Sequence, residues 1–454
     1  MNVKTKKNDG EKSLAKDLLR FIEVSPTPYH AVAEMKKRFY SLGYEELKEI
    51  EPWRLHLGGK YMVSRNGSSL LAFRLGNNPP EESGFKIIGA HTDSPHLKLK
   101  PNAVYQKTGY TQLGVEVYGS VLLTTWTDRD LSLAGRIIPR DSNAEPVLID
   151  LKRPILKVPQ LAIHLNTKVN EKGLVLNKQT HMSPILELTD DKLDCEDVLI
   201  KMIAEESGLR LKDIFGLDLS LYDAQKGTIG GRNGEFLFSA RLDNLASCHA
   251  AVEALLSVSE LDDPTRVVVC FDHEEVGSGS AQGAESTFLK DVLERIQNHF
   301  KPSREGFLMA VARSFLISSD MAHAIHPNYA DMHEPHHWPR LNGGPVIKIN
   351  ANQRYATDGE SAALFERLCV RANISVQKFV NRSDLACGST IGPITATNLG
   401  IRTVDVGNPM LSMHSIRETA AVSDHKKLIS VFREFFSCGH IQSQSKPKSL
   451  KKKK

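Results

Sequence analysis

Between Arg266 and Ser280 the chain reads RVVVCFDHEEVGSGS. Val267, Val268, Val269 and Cys270 run without a break into Phe271, and an apolar run of this length bounded by polar residues predicts a short strand buried on both faces. Asp272, His273, Glu274 and Glu275 follow at once, and then a Gly/Ser turn. Four ionisable groups at the mouth of a buried strand constrain the fold strongly, because in an open parallel sheet the carboxyl ends of the strands are where ligands gather. Two crowded carboxylates do not both stay ionised cheaply, so Glu274 and Glu275 call for positive charge nearby. Taken alone, the stretch would serve equally as a solvated acidic turn.

The order of elements says what kind of sheet this is. Helical spacing runs from Ser13 to Leu42, interrupted at Pro26 and Pro28. Strands are predicted at Tyr61–Arg65, at Ser69–Arg74 and at Lys86–Ala90, the last ending in His91-Thr92-Asp93. From Leu97 to Gly234 the texture changes to alternating strands, such as Gly114–Tyr118 and Val121–Thr125, with many turns and one helix near Glu196–Glu206. Strand and helix then alternate again. Glu235–Ser239 precedes a helix at Leu245–Val258, with Asp243 or Asn244 at its N-cap position. Strands at Val267–Phe271, Phe315–Ser318 and Arg402–Val406 and helices at Glu360–Asn373 and Lys426–Phe436 complete the series. The expectation is an α/β protein whose catalytic domain is split in sequence, residues 1–96 and 233–442, around a largely parallel central sheet. A β-rich domain, residues 97–232, is inserted between the halves, and residues 443–454 form a basic disordered tail.

Composition narrows the function classes. No stretch of the 454 residues approaches the roughly 18 apolar residues of a membrane span. The start, MNVKTKKNDGEKS, has lysines with no apolar segment of a signal peptide behind them, so the expected location is the cytoplasm. Six cysteines, at 195, 248, 270, 369, 387 and 438, lack any CxxC spacing and fit reduced thiols. The net charge of +4 comes from the terminal KPKSLKKKK, without which the body is close to neutral, so neither nucleic acid nor membrane is an expected partner.

The charge that Glu274 and Glu275 call for is then sought at the other strand ends. His91 ends KIIGA, Asp243 follows EFLFS, Asp320 follows SFLISS, and His414 lies just past RTVDV. If the sheet is parallel, these ends meet on one edge. Two His, two Asp and one Glu, with a second Glu spare, form a co-catalytic set for two metal ions per subunit, Zn²⁺ by donor type with Mn²⁺ or Co²⁺ as alternatives. Asp243 is expected to bridge the two, with His91 and Asp320 completing one shell and Glu275 and His414 the other. Two such metals hold one bridging hydroxide and polarise one carbonyl. Glu274 is left as the general base, and Asp93 is placed to accept the other ring N–H of His91. Each residue has a plainer reading, Asp243 as a helix cap above all. Their common position at strand ends favours the shared one.

The strings GAHTDSPHLKLKP, SARLDNL, DHEEVGSGS, ISSDMAHAIHPNYAD, CGSTIGPITA and MHSIRE resemble those of the M18 metallopeptidases, the aspartyl aminopeptidase and vacuolar aminopeptidase I family, most closely its bacterial branch. The resemblance covers nearly the whole chain except its extreme termini. It implies a zinc aminopeptidase that removes the N-terminal residue from peptides with a free N-terminus, with ligands His91, Asp243, Glu275, Asp320 and His414 and base Glu274. It also implies that the insert is a dimerisation domain, that subunits form a tetrahedral dodecamer, and that His164 of PQLAIHLN reaches into a neighbour's site to assist catalysis. Relatives that prefer acidic residues align a lysine within the stretch that here reads NANQRY. Asn352 stands there instead, with Arg354 close by as a substitute, so the preferred N-terminal residue is expected to be acidic or neutral. The alternatives are another co-catalytic zinc amidohydrolase, a dipeptidase or deacylase, or an assembly protein whose site is vestigial.

Overall fold

The computed structural model of the chain describes residues 2–189, 198–258 and 264–438; the tail at 443–454 and Cys195 lie outside them. Among the described residues the strands form sheets of nine, six and five strands. The central sheet has the order Glu45–Glu46, Lys60–Arg65, Ser69–Arg74, Thr265–Phe271, Phe85–His91, Phe315–Ser319, Arg402–Gly407, Val346–Ile349, Gln377–Val380. Its four middle strands, Thr265–Phe271 to Arg402–Gly407, are parallel, with Phe271 beside His91 and Ser319 beside Val406.

All seven residues of Thr265–Phe271 are buried, and their alternation feeds two separate layers. Val267, Val269 and Phe271 pack with Ile87, Leu316, Phe288 and Phe307 on one face. Val268 and Cys270 pack with Ile88, Ile317, Leu245 and Phe432 on the other. Each fully buried Val or Ile contributes about 1.5–3 kcal/mol, which is why so short a strand holds its register. The result is an α/β fold with helices on both faces of a largely parallel sheet. At the amino edge of this sheet Lys86 and Arg74 both lie opposite Arg266, all three buried. Arg266 Nε donates to the Phe436 carbonyl at 2.8 Å, and Lys86 Nζ donates to that of Cys438, both at the C-terminal end of the Val422–Ser437 helix. Cations there face the negative end of a helix, and the acidic groups are left to the opposite edge.

The six-stranded sheet is antiparallel and draws on residues 96–223, with Leu133, Ile137, Leu219 and Leu221 packed against Trp126 and Ile203. One expectation fails here. Val121–Thr125 is not a strand; the chain turns through a 3₁₀ helix at Leu123–Trp126. The β-branched and apolar run that suggested a strand instead buries Trp126, and the Leu122 N–H goes to the His414 carbonyl at 3.1 Å. The five-stranded sheet, order Thr228–Gly230, Phe236–Ser239, Glu418–Ala421, Pro409–Leu411, Ala322–His323, lies beside the carboxyl edge of the central one and matters for the site. Cys248, Cys270, Cys369, Cys387 and Cys438 are free thiols.

Candidate metal centre and active site

The DHEEVGSGS turn is shaped by its own residues. The Asp272 N–H donates to Ser69 Oγ at 2.8 Å, His273 takes a left-handed conformation (φ 61°), and Ser278 N–H closes back on the His273 carbonyl at 2.7 Å. Glu274 and Glu275 therefore stand on one turn of 3₁₀ helix at the strand mouth. Asp93 fixes that turn from below: its buried carboxylate accepts the Glu274 and Glu275 N–H groups at 3.2 and 3.0 Å and the Tyr118 hydroxyl at 2.7 Å. His91 Nδ1 faces the Asp93 main-chain oxygen at 3.1 Å and its Oδ1 at 3.3 Å.

Five strand-end residues converge. His91 Nε2 lies 3.5 Å from Asp243 Oδ1 and 3.5 Å from Asp320 Oδ1. On the other side of the same carboxylate, Asp243 Oδ2 lies 3.4 Å from His414 Nε2, which is 3.3 Å from Glu275 Oε2. Donor atoms within 4.8 Å of one another thus form two triads, His91–Asp243–Asp320 and Asp243–Glu275–His414, that share Asp243. Glu274 groups with His91 and Glu275. A further cluster, Asp17–His249–Glu253, has its cation already: Arg38 Nη1 donates to Asp17 at 2.7 Å and to Glu253 at 3.1 Å.

The convergence does not come from one sheet edge, as the sequence suggests. His91, Glu274, Glu275 and Asp320 follow parallel strands of the central sheet, but Asp243 and His414 follow Phe236–Ser239 and Pro409–Leu411 of the five-stranded sheet. Asp243 and Asn244 do precede the regular helix that begins at Leu245, as expected, but neither side chain caps it. Both have non-helical dihedrals, as residues before a helix do, and they form the kink that separates this helix from the left-handed Arg241; Asn244 Nδ2 donates to the Ser319 carbonyl at 2.8 Å. The Asp243 carboxylate is turned away to lie between the two imidazoles.

The donors fit divalent cations. Asp243 Oδ1 and Glu275 Oε1 are buried without a hydrogen-bond partner, a costly state for carboxylate oxygens that a cation relieves. Burial pushes Glu274 up to about 8 against the pull of His91, and burial with the Asp243 charge raises Glu275 well above the usual range. Burial lowers the imidazoles' affinity for protons, but Asp243 overrides it, lifting His414 to about 9 and His91 well above its ordinary value. The metal-free cluster therefore gathers protons where cations would sit. For these groups the folded pKa lies above the unfolded one, so their stabilisation is present below the unfolded value and is lost as pH rises through the folded one. Melting of stripped protein should fall between about pH 5 and 9, and added zinc should raise the melting temperature more at pH 8 than at pH 6. A flat or rising profile would contradict this.

Several contacts here were not legible in the sequence. Lys348 Nζ donates to Asp320 Oδ2 and to the Met321 carbonyl, both at 3.0 Å, and sits over the Tyr355 ring. His414 Nδ1 donates to the Ser120 carbonyl at 3.0 Å, so a loop between strands of the six-stranded sheet orients a donor of the cluster. Gly119 makes that approach possible: at φ +74°, a Cβ there would stand 3.1 Å from Glu275 Cβ. A cavity of about 380 Å³ opens over the cluster, lined also by Lys348, Tyr355, Thr390 and Met413. Three expected residues are not drawn in. His164 sits on an exposed turn, Ile163–Leu165, away from the cavity lining. Asn352 and Arg354 are exposed and only their neighbour Tyr355 lines the cavity.

Imidazoles and carboxylates gathered around one shared carboxylate, beside the carboxyl edge of a parallel sheet, define a metallohydrolase type of centre. The Aminopeptidase I zinc metalloprotease (M18) family matches residues 21–436, and the chain belongs to that family of zinc metallo-aminopeptidases. It is 49% identical over 427 residues to a probable M18 family aminopeptidase 2 of Pseudomonas syringae pv. syringae, covering 93% of this chain and 98% of that protein. A chain in the cryo-EM structure of the Ape4 and Nbr1 complex superposes with a TM-score of 0.91 at 42% identity, covering 94% of this chain and 86% of that one. The mApe1 dodecamer of S. cerevisiae matches with a TM-score of 0.82 at 32% identity, over 93% and 96% of the two chains.

Proposed function

We propose that the chain is a dinuclear zinc aminopeptidase that removes an acidic or neutral residue from the N-terminus of peptides. The observation that carries this is the pair of donor triads sharing Asp243, with Glu274 beside them and outside both. His91 and Asp320 would hold one cation, Glu275 and His414 the other, and Asp243 both; Mn²⁺ or Co²⁺ would suit the same donors. Bound there, the cations supply Lewis acidity toward the substrate carbonyl and lower the pKa of water.

Glu274 takes a proton from the attacking water as its oxygen bonds to the carbonyl carbon. It passes that proton to the amide nitrogen as the C–N bond breaks, freeing the amine. Asp93 holds the Glu274 main chain and the His91 ring, so the base and one metal ligand share a support. Lys348 neutralises the outer oxygen of Asp320 and keeps that carboxylate turned inward.

In this reading residues 1–96 and 233–442 form the catalytic domain and residues 97–232 the inserted dimerisation domain, in a cytoplasmic tetrahedral dodecamer. The dodecamer of mApe1 supports the assembly. The exposure of His164 suits a residue that acts in a neighbouring subunit's site. Asn352 and Arg354 are proposed to border the substrate's side chain there. Hydrolysis of Asp-, Glu- and Leu-anilides, with and without chelator, tests the activity. All hydrolysis should stop with chelator and return with zinc. With Lys348 engaged by Asp320, the leucyl substrate should be cleaved at least as fast as the aspartyl one. Hydrolysis indifferent to chelator would refute the reading, and a strict need for an acidic residue would refute its neutral arm.

A further inference from the structure

Glu418 is the one ionisable residue of MHSIRE after the histidine that is buried, 2% exposed, and no catalytic step above uses it. It opens the strand Glu418–Ala421, the middle of three antiparallel strands. Phe236–Ser239 pairs with it on one side, Ser239 opposite Glu418, and Pro409–Leu411 on the other, Leu411 opposite Thr419. Both flanking strands therefore end at the Glu418 end. The segments that leave them carry Asp243 and His414, and both bend back over this carboxylate. Glu418 Oε2 accepts the Asp243 N–H at 3.1 Å, and Oε1 accepts the His414 N–H at 2.9 Å. Neither N–H has a place in a regular ladder: Asp243 is non-helical within its helix, and His414 has φ 65°.

We propose that Glu418 is a positioning residue that sets the spacing between the shared carboxylate and the second imidazole by holding both main chains on one buried carboxyl group. The inference rests on the reading that Asp243 and His414 hold a cation. It explains how two loops from outside the central sheet deliver side chains to 3.4 Å from each other. Two hydrogen bonds to one buried carboxyl group fix two ligand backbones together, and supports of this kind tune metal affinity by about 10–100-fold.

The test compares stripped wild-type, Glu418→Gln and Glu418→Asp proteins by zinc titration against a chelator, with melting of the metal-free proteins alongside. Gln keeps the shape but offers one acceptor and a donor that opposes the second N–H; Asp keeps the carboxyl group but withdraws it by one methylene. Either change should weaken one of the two zinc equivalents about 10–100-fold and spare the other more. It should lower kcat with little change in KM, recoverable with excess zinc, while the metal-free melting temperature stays near wild type. Combined with His414→Ala, the loss should be less than additive. Wild-type affinity at both equivalents would overturn the proposal. So would an equal loss at both matched by a fall in metal-free melting, or failure of both variants to fold, since each would make Glu418 only scaffold. A wild-type protein that takes up no zinc would instead refute the metal reading itself.

Discussion

Glu274→Gln is expected to keep its zinc and to lose activity by about 10²–10⁴-fold, the range a positioned proton-transfer group commonly contributes. The two triads are complete without Glu274, so removing its charge takes no ligand from either. Gln has nearly the same volume and still fills the mouth of the strand, where Asp93 continues to hold its N–H. What it lacks is a site that accepts a proton from water and returns it to the leaving amine. The fall should therefore appear in kcat, measured on a leucyl anilide beside metal analysis of the same sample. Near wild-type turnover would remove Glu274 from the base role, and loss of zinc would make it a ligand.

Asp243→Asn is expected to have the second large effect, and a different one. Asp243 stands between His91 and His414, with one oxygen toward each. An amide of the same shape cannot serve two cations, so both equivalents should be lost at zinc concentrations that saturate wild type, and activity should fall to background. His414→Ala should lose only one. In the stripped protein Asp243 is also the counter-charge of the two imidazoles, which hold its carboxyl well below the usual range, so Asp243→Asn should melt lower than wild type when both are metal-free, and its zinc content is read at a temperature where it remains folded. An Asp243→Asn protein that binds two zinc ions, or one that is inactive only because it is unfolded, would contradict the shared-ligand assignment.

The contrast between what was and was not legible has a physical basis. Runs such as RVVVCF and KIIGA announce themselves because a strand buried on both faces has no polar residue to interrupt it, and the ionisable groups at their ends stand out in consequence. The gathering of His91, Glu275 and Asp320 follows from parallel strands alone. Asp243 and His414 arrive by another route, from a small sheet whose pairing joins residues about 180 positions apart, as at Ser239 and Glu418. Nothing local in EFLFS or RTVDVGNPML encodes that pairing. The same holds for Ser120 and Tyr118, which act through a carbonyl and a hydroxyl on segments that read as ordinary insert. Lys348 was hidden because a lysine in an apolar strand, VIKI, reads as solvent-facing, whereas here it is 3% exposed and spent on Asp320. Val121–Thr125 misled in the opposite sense, since local β preference yielded to the burial of Trp126.

The most direct test of the whole account is the return of activity as zinc is added back, equivalent by equivalent, to stripped wild-type protein. Two zinc ions should bind per chain, and full hydrolysis should appear only when both are present. Full activity with a single equivalent, or undiminished activity in the stripped protein, would contradict it.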